Sequence, residues 1–167
     1  NERRTTMPNW CEGTLKVRGD IKNVERWCKE NINVYSHSFK DGNYSVFRDT
    51  EYPVKIDVDE NEITVDVSRD AYIENTRRNF VEEGHYSGFE YKGVMRLALN
   101  VKAAWAFESK PYVEMSKAYG IDFRFYGFER GMEFNQEVII ENGELKADDE
   151  IRYDDYFWEC PCPDLGG

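Results

Sequence analysis

Four cysteines, two histidines and 33 carboxylates are the first candidates for nucleophilic, acid–base or metal chemistry in this 167-residue chain. Cys160-Pro161-Cys162 could join Cys11 and Cys28 in a four-thiolate zinc site, but neither half has the two-residue spacer usual within such a ligand pair. The expectation is an inert C-terminal turn. Cysteines this few and this irregular do not read as a secreted disulfide framework either, so reduced thiols are expected. His37 and His85 fall in loop-like stretches and read as surface or turn histidines, not as bases. Asp57-x-Asp59-x-Asn61 opens like a calcium loop, yet Glu62 stands where the loop needs Gly and Ser68 where it needs the bidentate Glu, so a hairpin turn is expected. Phosphate-loop, nucleophile-elbow and paired-histidine zinc motifs are all absent. No cofactor is expected. A convergent carboxylate pair is a three-dimensional property, which leaves a carboxylate-based or metal-assisted hydrolytic site as the alternative reading.

Charge says more. Twenty-two Lys and Arg stand against 33 Asp and Glu, a formal net charge of −11, and a phosphate backbone would be repelled overall. Direct nucleic-acid binding is therefore not expected. The imbalance is local: residues 1–40 hold eight cations and five anions, whereas residues 129–167 hold three cations and twelve anions. Within that acidic quarter Asp148, Asp149, Glu150, Asp154, Asp155 and Glu159 alternate with Tyr153, Tyr156, Phe157 and Trp158. Carboxylates interleaved with rings suit a negatively charged contact surface, with Tyr156 and Trp158 as anchors. A second acidic patch at Asp57, Asp59, Glu60 and Glu62 would extend it. Against this stands ordinary solubility, with the rings packed back on the body. No apolar run approaches the length of a membrane span, and no signal-peptide core is present, so a cytoplasmic protein with no membrane partner is expected.

The elements that must position these residues follow from periodicity. Residues 1–9 read as an N-terminal extension. Trp10 to Arg18 alternates as a half-buried strand, and Asp20 caps a helix with Ile21, Val24, Trp27, Cys28 and Ile32 inward. The pattern weakens after Asn33. Val54 to Val67 reads as a hairpin, residues 70–83 as a helix capped by Asp70, and residues 84–93 as a loop. Val94 to Val101 is a strand, and Ser109 caps a helix that carries Pro111 and stops at Gly120. Strands follow at Ile121–Tyr126 and Phe134–Ile140, with Asn142-Gly143 turning a return strand over Glu144–Ala147. Two strand–helix units around a hairpin-bearing middle predict an α+β fold. Its simplest form is ferredoxin-like, a mainly antiparallel sheet with helices on one face. The domain would span 10–147 with an inserted middle section at about 33–93, followed by the acidic aromatic segment 148–167.

Two stretches carry a resemblance. Met7-Pro8-Asn9-Trp10-Cys11, with the strand and Gly19-Asp20 after it, resembles the opening of the YubB-like ferredoxin-fold family of plasmid and phage proteins. Ala104-Trp105, then Ile121-Asp122-Phe123-Arg124-Phe125-Tyr126 and Glu129-Arg130-Gly131-Met132-Glu133-Phe134, is similar to that family's Ala-Trp strand end and Glu-x-Gly-Met-x-Phe segment. Where the family has Ser-Pro-Pro, this chain has Phe107-Glu108-Ser109-Lys110-Pro111. The resemblance implies a ferredoxin-like fold and a mobile-element origin, and it carries over no catalytic residues. A fold of this kind hosts many functions. The functional expectation is a phage or plasmid binding protein that inhibits a host defence nuclease such as a CRISPR effector. Its acidic residues would enter a basic groove of that nucleic-acid-handling partner, in place of DNA. A non-inhibitory accessory binding module is the further alternative.

Overall fold

The computed structural model describes residues 7–166, so most of the expected extension lies outside the described residues. In chain order the elements are β1 (Trp10–Gly19), α1 (Ile21–Asn31), β2 (Ile32–Asn33), β3 (Tyr35–Lys40), β4 (Asn43–Arg48), β5 (Lys55–Asp59), β6 (Glu62–Val67), β7 (Ala71–Ile73) and β8 (Asn79–Val81). There follow β9 (Gly84–Tyr91), β10 (Val94–Ala104), α2 (Ser109–Tyr119), β11 (Asp122–Glu129), β12 (Phe134–Glu141), β13 (Glu144–Ile151) and α3 (Tyr156–Glu159). The fold is α+β and mostly antiparallel, with eleven strands in one sheet and β3–β4 as a separate ribbon.

β1 lies at the centre. It pairs with β10 from Trp10↔Ala104 to Gly19↔Met95 and with β11 from Cys11↔Glu129 to Arg18↔Asp122. Beyond β11 the sheet continues through β12 to β13. Beyond β10 it forks: residues 94–96 pair with β9, which leads to β6 and β5, while residues 101–103 pair with β8, which leads to β7 and β2. Gly13 and Gly127 face each other across the β1–β11 pair. A Cβ on Gly13 would lie 1.9 Å from the Tyr126 carbonyl oxygen, so the two strands can approach this closely only with glycine there.

Period-two alternation sends Leu15, Val17, Leu97, Leu99, Phe123 and Phe125 to one face, and all six are buried. Both long helices cover that face. Trp27 of α1 meets Phe123 edge-on at 5.2 Å, and its indole N–H donates to the Met115 sulfur of α2 at 3.3 Å. Phe107, in the loop before α2, stacks on Phe125 at 4.1 Å between centroids and on Tyr112 at 4.3 Å. Asp20 caps α1 as expected, its side chain accepting from the Lys22 amide at 2.9 Å. Gly120 ends α2 in the left-handed region, also as expected.

Several expectations need correction. Residues 70–83 are no helix but the short strands β7 and β8. Thr76 bridges their connection, donating to the Ile73 carbonyl at 2.6 Å and accepting from the Asn79 amide at 3.3 Å, while Asn75 and Arg78 take positive φ. Asp70 holds Lys102 and the Glu83 amide there, and so does not cap a helix. Residues 84–91 form a strand; Gly88 lies where a Cβ would meet the Arg96 carbonyl at 2.7 Å. Residues 35–48 form the ribbon β3–β4, turned at Asp41-Gly42 with φ of 52° and 78°. Ser109 is not the cap of α2, since Glu108 occupies that position without a side-chain hydrogen bond. β13 runs on to Ile151, so residues 148–151 belong to the sheet and not to the C-terminal segment.

The Glu129–Phe134 segment has a structural role. Glu129 is 1% exposed, and its carboxylate accepts from the Gly131 and Met132 amides at 2.7 and 2.8 Å. Glu129→Ala strands two backbone donors in the β11–β12 turn. It should lower stability by about 3 kcal/mol, with Glu129→Gln losing less, as read by urea unfolding.

Candidate functional site at the acidic edge and on the open sheet face

β13 is the free edge of the sheet, joined to β12 through Asn142-Gly143, whose φ of 52° and 74° give the expected primed turn. Successive residues on a strand point to opposite faces, so the acidic run divides. Asp148 accepts from the Gln136 amide at 3.1 Å; that amide group also clamps Phe107, accepting from its N–H at 3.0 Å and donating to its carbonyl at 2.8 Å. Glu150 pairs with Arg152 at 2.6 Å. Asp149 is exposed on the other side of the edge, in register with Glu137.

The chain then turns back across the sheet face opposite the two long helices. Tyr156 and Cys160 are buried there with Phe128, flanked by Tyr126 and Tyr153. Asp155 caps α3 by accepting from the Trp158 amide at 3.1 Å, and Glu159 accepts from the amides of Asp154 and Asp155 at 3.1 and 3.3 Å. The expected anchor Tyr156 is thus a packing residue. Trp158 does project, 84% exposed, with Phe157 beside it at 81%.

Asp57, Asp59, Glu60 and Glu62 occupy the β5–β6 hairpin, which the sequence anticipated. From β13 to β5 the path runs through β12, β11, β1, β10, β9 and β6. At strand spacings of about 4.8 Å the two acidic patches are ~34 Å apart. They sit at opposite ends of the sheet and do not form one continuous face.

Sequence reasoning missed a cluster of cations on the open part of the same face. Lys16 is directly opposite Arg124, and Arg18 is directly opposite Arg96. They surround a cleft of about 430 Å³ with Ser87 and Ala98 in its lining. Arg18 binds Asp122 at 2.8 Å and Glu141 at 3.2 Å, Arg124 binds Glu137 at 3.4 Å, and Arg96 donates to the carbonyls of Tyr91 and Val94. The outward positions of each strand were legible as polar; which strands lie side by side was not.

The remaining candidates are dispersed. Cys11 and Cys28 are buried on the helix-covered side, and burial pushes the Cys11 thiol up to about 12. Cys160 is buried on the opposite face and Cys162 is exposed, so the four sulfurs do not converge. His37 contacts the Tyr44 hydroxyl on the β3–β4 ribbon, and His85 lies 3.4 Å from Asp66. Among the described residues, the main clefts hold no histidine. No protein-family model, curated protein or solved structure matches this chain.

Burial, followed by the neighbouring Tyr153, pushes the Tyr126 phenol up to about 12; burial, followed by Glu82, does the same for Tyr86. A free tyrosine titrates near 10. The folded chain favours the neutral phenols, so their contribution is intact below about pH 10 and is lost as pH rises towards 12. Tyrosinate absorbance should show late-titrating groups, and unfolding free energy should fall across that window less steeply in the Tyr126→Phe, Tyr86→Phe double variant. The buried Tyr156 hydroxyl has no hydrogen-bond partner among the described residues. Tyr156→Phe should therefore hold or raise stability, by up to about 1 kcal/mol in thermal unfolding.

Proposed function

We propose that this chain is a non-catalytic binding protein whose acidic C-terminal edge docks on a basic protein surface. The observation that carries the reading is the pair Phe157 and Trp158, 81% and 84% exposed on a turn of helix anchored by buried Tyr156 and Cys160. Large rings held in water on a fixed support suit the anchoring role that aromatic residues play at interfaces. Around them Asp149 and Asp154 are exposed carboxylates that would steer the edge towards a cationic partner.

The strand order β11-β1-β10, with α1 and α2 on one face, supports a ferredoxin-like core extended by β12 and β13. The YubB-like sequence features support descent from a mobile element. Together these point to a host defence nuclease, a CRISPR effector or a restriction enzyme, as the partner. The acidic edge would occupy part of its DNA groove.

The test is inhibition of DNA cleavage by a panel of such purified nucleases. One member should be inhibited and its binding should weaken as salt shortens the Debye length from about 8 Å towards 3 Å. Trp158→Ala should weaken that binding about 30-fold, the effect of losing an interface anchor worth ~2 kcal/mol. The charge reversal Asp149→Lys, Asp154→Lys should weaken it about tenfold. Binding to no member of the panel, or binding indifferent to both variants and to salt, would overturn the reading.

A further inference from the structure

We propose that the cationic cleft on the open sheet face binds the phosphate backbone of a short single-stranded nucleic acid, with Phe89 and Tyr91 as stacking platforms for its bases. Register supplies the first argument. Arg18 opposite Arg96 and Lys16 opposite Arg124 put like charges at directly facing cross-strand positions. Such pairs destabilise a sheet unless carboxylates offset them. In a chain of net charge −11, the cleft lining sets four cations against two carboxylates, Asp122 and Glu141. Those carboxylates hold the Arg18 guanidinium, Glu137 outside the lining holds Arg124, and Arg96 donates to two backbone carbonyls, whereas the Lys16 ammonium is exposed with no hydrogen-bonded or ion-paired partner among the described residues.

The rings supply the second argument. Phe89 is in register with Arg96 and Tyr91 with Val94, so both rings flank the cations on the same face, 60% and 62% exposed. Lys92 and Arg96 approach the Tyr91 ring to 5.2 and 5.9 Å. From β11 to β9 the strip crosses three strand spacings, ~14 Å. Exposed rings beside cations match the recognition of unstacked bases, which a duplex hides. Two further carboxylates are close, since Glu62 is in register with Phe89 and Glu137 pairs with Arg124; the acidic groups of the C-terminal edge act weakly here, because exposed charges beyond about 8 Å are screened at physiological salt.

The proposal does not depend on the acidic-edge reading, because Trp158 and Asp154 lie outside the cleft. The experiment is fluorescence anisotropy of a labelled oligouridylate of about 12 nucleotides with the whole chain, at low salt and upwards. Binding is expected with a logarithmic salt slope of about −2, for about three phosphates contacted. Lys16→Glu should weaken it at least about tenfold, and Phe89→Ala by roughly five- to 150-fold. Phe89→Ala should melt like the parent chain and Lys16→Glu at or above it, because a like-charged cross-strand pair becomes an opposite-charged one, and Trp158→Ala should bind the oligonucleotide like the parent. Unlabelled oligonucleotide should compete far better than uridine monophosphate, inorganic phosphate or polyglutamate. Absence of binding at low salt, binding unchanged in both cleft variants, or equal competition by monophosphate or polyglutamate would overturn the proposal.

Discussion

Hydrogen bonding of β1 on both of its edges is the constraint from which the rest of the molecule follows. β10 and β11 run antiparallel to it over nearly its full length, and a one-residue slip in either pairing would exchange the faces of all its neighbour's side chains. The register is held by burial. Leu15, Val17, Leu97 and Phe123 reach the helices only in this alignment, and the Gly13–Gly127 contact leaves no room for a side chain where the strands approach most closely. The same alignment dictates the opposite face. Glu12, Lys16, Arg18, Arg96, Lys102 and Arg124 are outward because their neighbours are inward, so their clustering is a direct consequence of how the core is paired.

Much of this was legible in the chain wherever one face is buried and the other wet. β1, β10, β11 and β12 alternate cleanly, α1 carries its cap and apolar stripe, and Asn142-Gly143 announces its turn. The middle was harder for physical reasons. Tyr72 and Phe80 are half-buried against each other at 5.9 Å, so β7 and β8 lack a clean inside–outside pattern, and the spacing of Ile73, Thr76 and Phe80 imitates a helix. The ribbon β3–β4 packs little of itself away: Phe39, Tyr44, Val46 and Phe47 are all exposed, leaving Asp41-Gly42 as its clearest signal. The three glycines of residues 84–93 read as loop, although only Gly93 is in a turn, and Gly88 is in β9 because the Arg96 carbonyl leaves it no space for a side chain.

The candidate site was legible by composition and not by placement. A run such as Asp148-Asp149-Glu150 looks like one acidic surface in the chain, but on a strand it divides between two faces, and its members find Gln136 and Arg152 locally. Conversely, Lys16, Arg18, Arg96 and Arg124 are scattered over more than a hundred residues of sequence and meet only through non-local pairing. Net charge is therefore a poor guide to any one surface of this protein. Screening confines each contact to its own neighbourhood, so an acidic edge and a cationic cleft coexist on one sheet.

The course of the C-terminal segment follows from the same division. Residues 153–166 cross the face opposite the long helices at the end where Phe128, Tyr126 and the small polar Asn135 offer apolar area and few charges. The Gly166 amide reaches Glu12 there, and the Arg130 guanidinium holds the Asp164 carbonyl. Had the segment crossed a few residues further along the strands, it would have covered Lys16, Arg18, Arg96 and Arg124 together. Those cations would then be dried, with Asp122, Glu141, Glu137 and the segment's own carboxylates left to compensate them. Apolar surface at Phe128 and Tyr126 is what draws the segment to that end of the face. The cleft stays open because the chain's own acidic tail is held where its aromatic residues pack, and the carboxylates of that tail are left facing water.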